Sequence, residues 1–238
     1  MNIIPLDKPF NGSHIFVTGD LHGETDIFRL STDGFSLGKT LTRNDFVIVC
    51  GDAGIVWDGK KTDKFLCDWL ENKPWTTLFV DGNHENFEML NNLPEEKWHG
   101  GSVHIVRPHV LHLMRGQIFE IGGYSFFTMG GADSHDKAMR KEGKNWWKEE
   151  LPDSRERATG LMNLSKFGNE VDFIISHCAP TYIQDRFTVG FSKNSLTMYF
   201  DDIARSVDFE KWFFGHYHRS QQINDKFHVL YYDMIQIC

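Results

Sequence analysis

Cysteine is scarce in this sequence, and no two of its four cysteines form a CxxC pair. A chain of 238 residues buries enough apolar surface to fold without cross-links, so we expect free thiols rather than disulfides. The chain also lacks an apolar run of about 18 residues, which excludes a membrane-spanning helix. Its N-terminus lacks the basic start and the apolar stretch of a secretory signal. We therefore expect a cytoplasmic protein with no membrane partner.

Positive charge is in deficit as well, because 25 lysines and arginines face 33 aspartates and glutamates, for a formal net charge of −8. Non-specific binding of nucleic acid depends on basic residues that neutralise phosphates. The acidic balance therefore argues against a long DNA or RNA substrate, although bound divalent cations would reverse the local field at a site.

The remaining composition is that of a globular protein, with 40% hydrophobic and 24% charged residues. The sequence has no internal repeat, low-complexity tract or linker, and we expect a single domain over residues 1–238. Seven runs rich in β-branched and aromatic residues predict buried strands. They are His14–Thr18, Asp45–Cys50, Thr76–Val80, Tyr124–Met129, Asp172–Ser176, Lys211–Phe214 and Phe227–Tyr232.

Three segments between the early runs suit helices: Glu24–Leu30, Lys60–Asn72 and Glu85–Asn91. Alternation of strands and helices predicts right-handed crossovers and largely parallel pairing. Closely spaced apolar runs over residues 103–129, broken by glycines, predict hairpins, so we expect mixed sheets. The polar and charged segment 130–160 predicts a cap or an insertion on the domain.

Five of the predicted strands run directly into acidic, amide or imidazole side chains. The blocks that follow them are Gly19-Asp20-Leu21-His22-Gly23, Gly51-Asp52-Ala53-Gly54, Asp81-Gly82-Asn83-His84-Glu85, His177 alone, and Gly215-His216-Tyr217-His218. Ligands of open α/β sheets bind beyond the carboxyl ends of the strands. We therefore expect the five blocks to meet at one edge.

The residue types in the blocks indicate a metal site. Asp, His and Asn without a thiolate suit divalent ions such as Mn²⁺, Fe²⁺ or Zn²⁺. Asp20 and His22 are two residues apart and can face one ion, and His216 and His218 can serve neighbouring ions. Asp52, in the central loop, is suited to bridge two ions about 3.5–4 Å apart.

DLHG, GDAG, GNHE, the lone His177 and GHYH resemble, in this order, the five signature blocks of the calcineurin-like metallophosphoesterases. The resemblance covers residues 20–218, which is most of the chain. It implies an α/β fold, a four-layer sandwich of two mixed β-sheets flanked by helices. It also implies an enzyme that hydrolyses a phosphate monoester or diester with a water activated by two divalent ions, Mn²⁺ in preference to Fe or Zn²⁺.

The resemblance also implies a role for each residue that matches the family's pattern. The first metal would be held by Asp20, His22 and His218, the second by Asn83, His177 and His216, with Asp52 as the catalytic bridge between them. His84 would contact the scissile phosphate and assist the leaving group. We expect the neighbouring Glu85 to act as an acid at a helix N-terminus rather than as a ligand.

Two features differ from the protein-phosphatase branch of the family. An aspartate that orients the catalytic histidine there stands three residues after the bridging aspartate, where this chain has Ile55. The same block lacks an arginine that helps to bind phosphate in that branch. A protein Ser/Thr phosphatase is therefore not expected.

The segment DSHDKAMRKEGKNWW, residues 133–147, mixes basic and aromatic residues in an otherwise acidic chain. One interpretation is a solvated helix with a hydrophobic anchor. The other is a cap in which Arg140 binds phosphate and Trp146 or Trp147 stacks on a base. The GGA–DK–R–G–WW–E pattern of this region resembles stretches of a bacterial and phage-associated branch of the family. This resemblance implies a prokaryotic or viral origin.

Two further functions compete with a two-metal phosphoesterase. A non-catalytic metal-binding or scaffold protein on the same fold would have lost ligands, whereas every ligand position here is filled. A single-metal hydrolase would not need seven candidate ligands. The expected substrate is a small or medium phosphoester such as a nucleotide, and the oligomeric state stays open.

Overall fold

The computed structural model describes residues 1–238, which form fourteen strands. In chain order they are β1 (Ile3–Pro5), β2 (Ile15–Thr18), β3 (Phe46–Val49), β4 (Thr76–Phe79), β5 (Glu95–Trp98), β6 (Gly101–Arg107), β7 (Val110–Leu113), β8 (Gln117–Ile121), β9 (Tyr124–Met129), β10 (Glu170–Ser176), β11 (Asp208–Phe214), β12 (Gln221–Gln222), β13 (Phe227–Val229) and β14 (Met234–Gln236). Eight of them form one sheet, in the order β1-β14-β2-β3-β4-β7-β6-β5, and six form a second, in the order β12-β13-β11-β10-β9-β8.

Helices cover the outer faces of the two sheets. The α-helices are α1 (Lys61–Glu71), α2 (Phe87–Leu90), α3 (Ser154–Lys166), α4 (Thr181–Phe187) and α5 (Ser195–Ser206), and 3-10 helices span Ile27–Leu30, Ser36–Thr40, Lys137–Met139 and Lys148–Glu150. None of the helices combines the length and the apolar character that a membrane crossing needs.

Alternating side chains of the central strands explain the layers. Val17 and Ile48 of the larger sheet pack with Phe173 of the smaller sheet in one apolar cluster between the sheets. Phe16 and Val47 point the other way, into a cluster with α1 and the first 3-10 helices, and the outer face of the smaller sheet packs on α3, α4 and α5. The result is a four-layer α/β sandwich.

Both sheets are mixed, as the sequence predicts. In the larger sheet β2, β3 and β4 pair in parallel while β5, β6 and β7 are antiparallel neighbours. In the smaller sheet β9, β10 and β11 are parallel and β8 pairs antiparallel with β9. The expected fold class is confirmed, and the parallel strands bring their carboxyl ends to one edge.

The helix predictions were only partly correct. Lys60–Asn72 contains α1, whereas Glu85–Asn91 contains only the single turn of α2, which Asn86 caps by accepting from the N–H of Met89. Glu24–Leu30 is wrong as an α-helix, since turns lead into the 3-10 helix Ile27–Leu30. The Asp26 side chain gives that helix no cap, because it is engaged by His22 instead.

The segment 130–160 begins as loops with two 3-10 turns and ends inside α3. A solvated helix over residues 133–147 is wrong, since only Lys137–Met139 has helical geometry there. The basic side chains of this stretch pair locally, Lys137 with Asp133 and Arg140 with Asp136. These ion pairs stabilise loops in a stretch for which a helix was one interpretation. Residues 133–147 lie against the loops that carry the predicted metal ligands.

Candidate metal centre

Five loops, after β2, β3, β4, β10 and β11, carry the five sequence blocks and are joined to one another by hydrogen bonds. The N–H of His22 donates to the carbonyl of Asp52 over 2.8 Å, and the N–H of His84 donates to the Asp52 carboxylate over 2.7 Å. The N–H of His216 donates to the Asp20 carboxylate over 3.0 Å. The blocks therefore form one continuous set of loops across both sheets.

Backbone strain is concentrated in these loops. Seven residues other than glycine have positive φ, and four of them are His22 at 45°, Asp52 at 49°, His216 at 68° and His218 at 49°. Such a conformation costs on the order of 1 kcal/mol per residue and persists only where the surroundings enforce it. Its accumulation on the predicted ligands points to a functional site.

Two glycines leave room for the carboxylates. A Cβ at Gly82 would lie 2.0 Å from Oδ1 of Asp52, and a Cβ at Gly215 would lie 2.0 Å from Oδ1 of Asp20. Both distances are far inside van der Waals contact, so any other residue would displace the carboxylate. The glycines beside the blocks thus permit close packing around Asp20 and Asp52.

The first group of potential metal ligands contains Asp20, His22 and His218, whose donor atoms all lie within 4.8 Å of one another. Nε2 of His22 lies 3.7 Å and Nε2 of His218 lies 3.4 Å from Oδ2 of Asp20. Nδ1 of His22 is held by Asp26 at 3.0 Å, which leaves Nε2 directed at the group. Asp20 is fully buried, whereas the side chain of His218 is 54% exposed.

The second group contains Asp20, Asp52 and His177, again within 4.8 Å, and all three are buried. Nε2 of His177 lies 3.4 Å from Oδ2 of Asp52 and 3.2 Å from Oδ1 of Asn83. Nδ1 of His177 donates to the Cys50 carbonyl over 2.6 Å, so its Nε2 also faces the group.

Asp52 lies between the two groups, since its Oδ2 is also 3.5 Å from Nε2 of His22. His216 adjoins the second group, with its ring centroid 5.0 Å from that of His177. Burial lowers the pKa of His216 well below its usual value, which favours the neutral imidazole that a metal ligand requires. The structure therefore brings all seven predicted ligands together.

The buried carboxylates of the site favour positively charged neighbours. Although burial opposes ionisation, His177 holds the pKa of the Asp52 carboxyl well below its usual range. Burial likewise opposes protonation of His22 and His177, yet the carboxylates, Asp52 above all, raise their pKa values to about 9 and about 10. The oxygen and nitrogen donors, turned inward by their outer contacts, fit divalent ions.

His84 lies beside the ligands, with its ring centroid 6.1 Å from that of His22. The contact at its Nδ1 is Nη1 of Arg140, at 3.4 Å, and Arg140 is itself held by Asp136 over 2.7 Å. Ile55 is fully buried in the apolar core, so no carboxylate follows Asp52 at the spacing of the protein phosphatases. The residue in contact with Nδ1 of His84 is therefore Arg140, and not an aspartate as in the protein phosphatases.

The two tryptophans differ in their surroundings. Trp147 is only 5% exposed and packs edge-on against Trp57, with ring centroids 5.5 Å apart. A base cannot stack on a side chain covered in this way, so the prediction that Trp147 stacks on a base is wrong. Trp146 is half-buried and its role stays a prediction.

Sequence reasoning missed several residues that support the ligands. Nδ2 of Asn83 donates to Oγ of Ser134 over 3.1 Å, which turns Oδ1 of Asn83 towards His177. Glu85 directly precedes Asn86, the N-cap residue of α2, but its side chain is fully buried and accepts from the N–H of Ala53 over 2.9 Å, so it supports the loop after β3. No spacing pattern identifies Ser134, because its partner lies 51 positions away.

Comparison with known proteins agrees with this geometry. The family model described as calcineurin-like phosphoesterase matches residues 13–220, which is most of the chain. No curated protein matches the chain at a significant level. With five signature blocks gathered at one edge of a four-layer sandwich, the chain belongs to the calcineurin-like phosphoesterases, a family of metal-dependent phosphoester hydrolases.

Proposed function

We propose that this chain hydrolyses a phosphate monoester or diester at a centre of two divalent ions. The observation that carries the proposal is the position of Asp52, whose Oδ2 lies 3.5 Å from Nε2 of His22 and 3.4 Å from Nε2 of His177. One carboxylate oxygen therefore faces both groups of donors, as a bridging ligand must.

The first group supplies the ligands of one ion, and His177 of the second group, with its neighbours Asn83 and His216, supplies those of the other. Asp20, His22 and His218 would hold the first ion, Asn83, His177 and His216 would hold the second, and Asp52 would be shared. Ions bound there would supply Lewis-acid chemistry, since they lower the pKa of a water and neutralise charge on phosphate oxygens. Mn²⁺ suits these oxygen and imidazole donors best, with Fe or Zn²⁺ as alternatives.

His84 and Arg140 act on the substrate. A guanidinium can only donate hydrogen bonds, so Nδ1 of His84 accepts from Arg140 and the proton of the neutral ring is on Nε2. The Nε2–H of His84 can then donate a hydrogen bond to the departing oxygen and stabilise the negative charge that develops on it. Arg140 is 16% exposed, and its Nη2, which has no hydrogen bond within the protein, can donate to a phosphate oxygen.

The substrate we propose is small or medium in size, such as a nucleotide. The net charge of −8 argues against a long polyanion. Near the metal centre the segment 133–147 offers exposed Lys141 and Lys144 besides Arg140, which favours a substrate with negative charge beyond the scissile phosphate.

A paired assay tests the proposal. Chelator-treated protein is given a nitrophenyl phosphate monoester or a bis-nitrophenyl diester, with and without Mn²⁺. Hydrolysis of either compound only in the presence of Mn²⁺ is the expected result, and the preferred compound identifies the ester class. Metal uptake without hydrolysis of either compound, or of any nucleotide, would overturn the catalytic function.

A further inference from the structure

The chain passes from one sheet to the other directly over the metal centre. β13 ends at Val229 in the smaller sheet and β14 begins at Met234 in the larger one, so residues 230–233 form a short crossover between them. The match to the family model ends at residue 220. The crossover therefore lies outside the residues on which family membership rests.

The crossover is fixed by contacts to the ligand loops. Oγ of Ser220 accepts from the N–H groups of Tyr231, Tyr232 and Asp233 over 3.0–3.2 Å. The guanidinium of Arg29 donates both to the carbonyl of Tyr231 and to the carbonyl of Asp20. The crossover backbone is thereby connected directly to the loop that carries the first ligand.

Tyr231 contacts both histidines of the first group. Its hydroxyl donates to Oδ2 of Asp26 over 3.0 Å, and the same oxygen lies 3.0 Å from Nδ1 of His22. Its ring stacks on His218, with centroids 4.8 Å apart and planes inclined by 15°. One side chain thus reaches His22 through Asp26 and His218 directly.

The physical consequence concerns ligand orientation. A metal-bound histidine is oriented by the partner of its other ring nitrogen, and that partner must itself be fixed. Asp26 is such a partner for His22, and the Tyr231 hydroxyl fixes the Asp26 carboxylate. His218 has a largely exposed side chain, so the stack with Tyr231 restricts a ring that would otherwise rotate.

We propose that Tyr231 is a positioning residue for the first metal ion, orienting His22 through Asp26 and His218 by stacking. The inference rests on the proposed two-ion function and adds to it a segment beyond the matched domain. Loss of either contact should leave the proposed ligands of the second ion, Asn83, His177 and His216, untouched.

Calorimetric titration of the chelator-treated full chain with Mn²⁺ tests the inference. Tyr231→Phe removes the hydroxyl and keeps the stack, and we expect it to weaken one of two Mn²⁺ sites by about 10-fold or more. Tyr231→Leu removes both contacts and should weaken that site further. In both variants kcat should recover at saturating Mn²⁺, which a general loss of structure would not allow.

Tyr124→Phe is the matched control. Tyr124 is buried at the far end of β9 from the centre, and its hydroxyl donates to the Pro9 carbonyl over 2.6 Å. It should leave both Mn²⁺ affinities unchanged. In an Asp26→Ala background, Tyr231→Phe should have no further effect on affinity, since the hydroxyl acts through Asp26.

The outcomes separate this inference from the function on which it rests. Wild-type affinities at both sites in Tyr231→Phe and Tyr231→Leu, or equal weakening of both sites, overturn the positioning role and leave the two-ion function standing. A wild-type chain that binds fewer than two ions overturns the two-ion function, and the positioning role with it.

Discussion

Asp52 is the residue on which both groups of ligands depend, because its carboxylate is fully desolvated and faces a histidine of each. We expect Asp52→Asn to lower hydrolysis by more than about 100-fold, since even outer contacts of metal ligands are worth about 10–100-fold. Asp45→Asn is the matched control: Asp45 precedes the same strand, β3, at its opposite end. Comparable activity of the two variants would exclude the bridging role.

His84 should matter most where the leaving group is poor. We expect His84→Gln to lower the rate on an alkyl phosphate by about 10²–10³-fold, the usual loss when one hydrogen bond to a developing oxyanion is removed. The nitrophenyl ester has a good leaving group that needs little stabilisation and should be much less affected. Steady-state kinetics on both esters measures this difference, and equal losses would assign His84 to binding instead.

Arg140 is distinguished from the other cations of its segment by its contact with His84. We expect Arg140→Ala to raise KM about 10-fold or more, since a charge-assisted hydrogen bond contributes roughly 1.5–3 kcal/mol. Lys144→Ala, an exposed cation in the same segment, should change KM by less than about 2-fold. An unchanged KM in Arg140→Ala for every substrate would remove it from the binding site.

At the scale of elements, the sequence predicts the buried central strands well because burial on both faces leaves a distinct pattern. All four residues of each of β2, β3 and β4 are buried, and each strand ends within two residues of the start of a ligand block. The meeting of the five blocks at one edge could therefore be predicted from the order of strands and blocks, whereas the roles of the residues came from the resemblance to the family. Segments held by long-range polar contacts could not, since the partners of Ser134 and Tyr231 are distant in sequence.

Glu150 connects the segment 130–160 to the centre through Ser134, which also accepts a hydrogen bond from Asn83. Oε2 of Glu150 accepts from the N–H of Ser134, while its Oε1 has no partner. Burial raises the pKa of Glu150 to about 7. The folded chain thus binds this proton more tightly than the unfolded chain, whose glutamate pKa is about 4.3. This difference makes the free energy of unfolding fall as the pH rises from about 4.5 to 7. Above pH 7 the decrease stays at its full value, because the carboxyl is then ionised in both the folded and the unfolded chain.

We therefore expect Glu150→Gln to raise the Tm of the metal-free chain at pH 8 by at least about 2–4 °C and to raise it much less at pH 5. The neighbouring Glu149→Gln, in a more exposed position, serves as the control. Thermal unfolding in chelator at the two pH values measures the difference. A Tm change that is the same at both pH values would contradict the buried charge as its cause.

At the scale of the whole molecule, the centre lies where the carboxyl ends of the parallel strands of both sheets meet. The larger sheet supplies Asp20, His22, Asp52 and Asn83, and the smaller sheet supplies the remaining three histidines. The Phe173 side chain and its neighbours between the sheets fix their relative position. Ions bound at this centre would join loops of both sheets and should stabilise the folded chain by mass action.

The most direct test of the two-ion centre is activity as a function of bound metal. Chelator-treated protein is titrated with Mn²⁺ while bound ions per chain and hydrolysis of the preferred nitrophenyl ester are measured together. We predict no activity without metal, little with one ion, and full activity as the second ion binds. Full activity with one ion per chain, or with none, would contradict the two-ion mechanism.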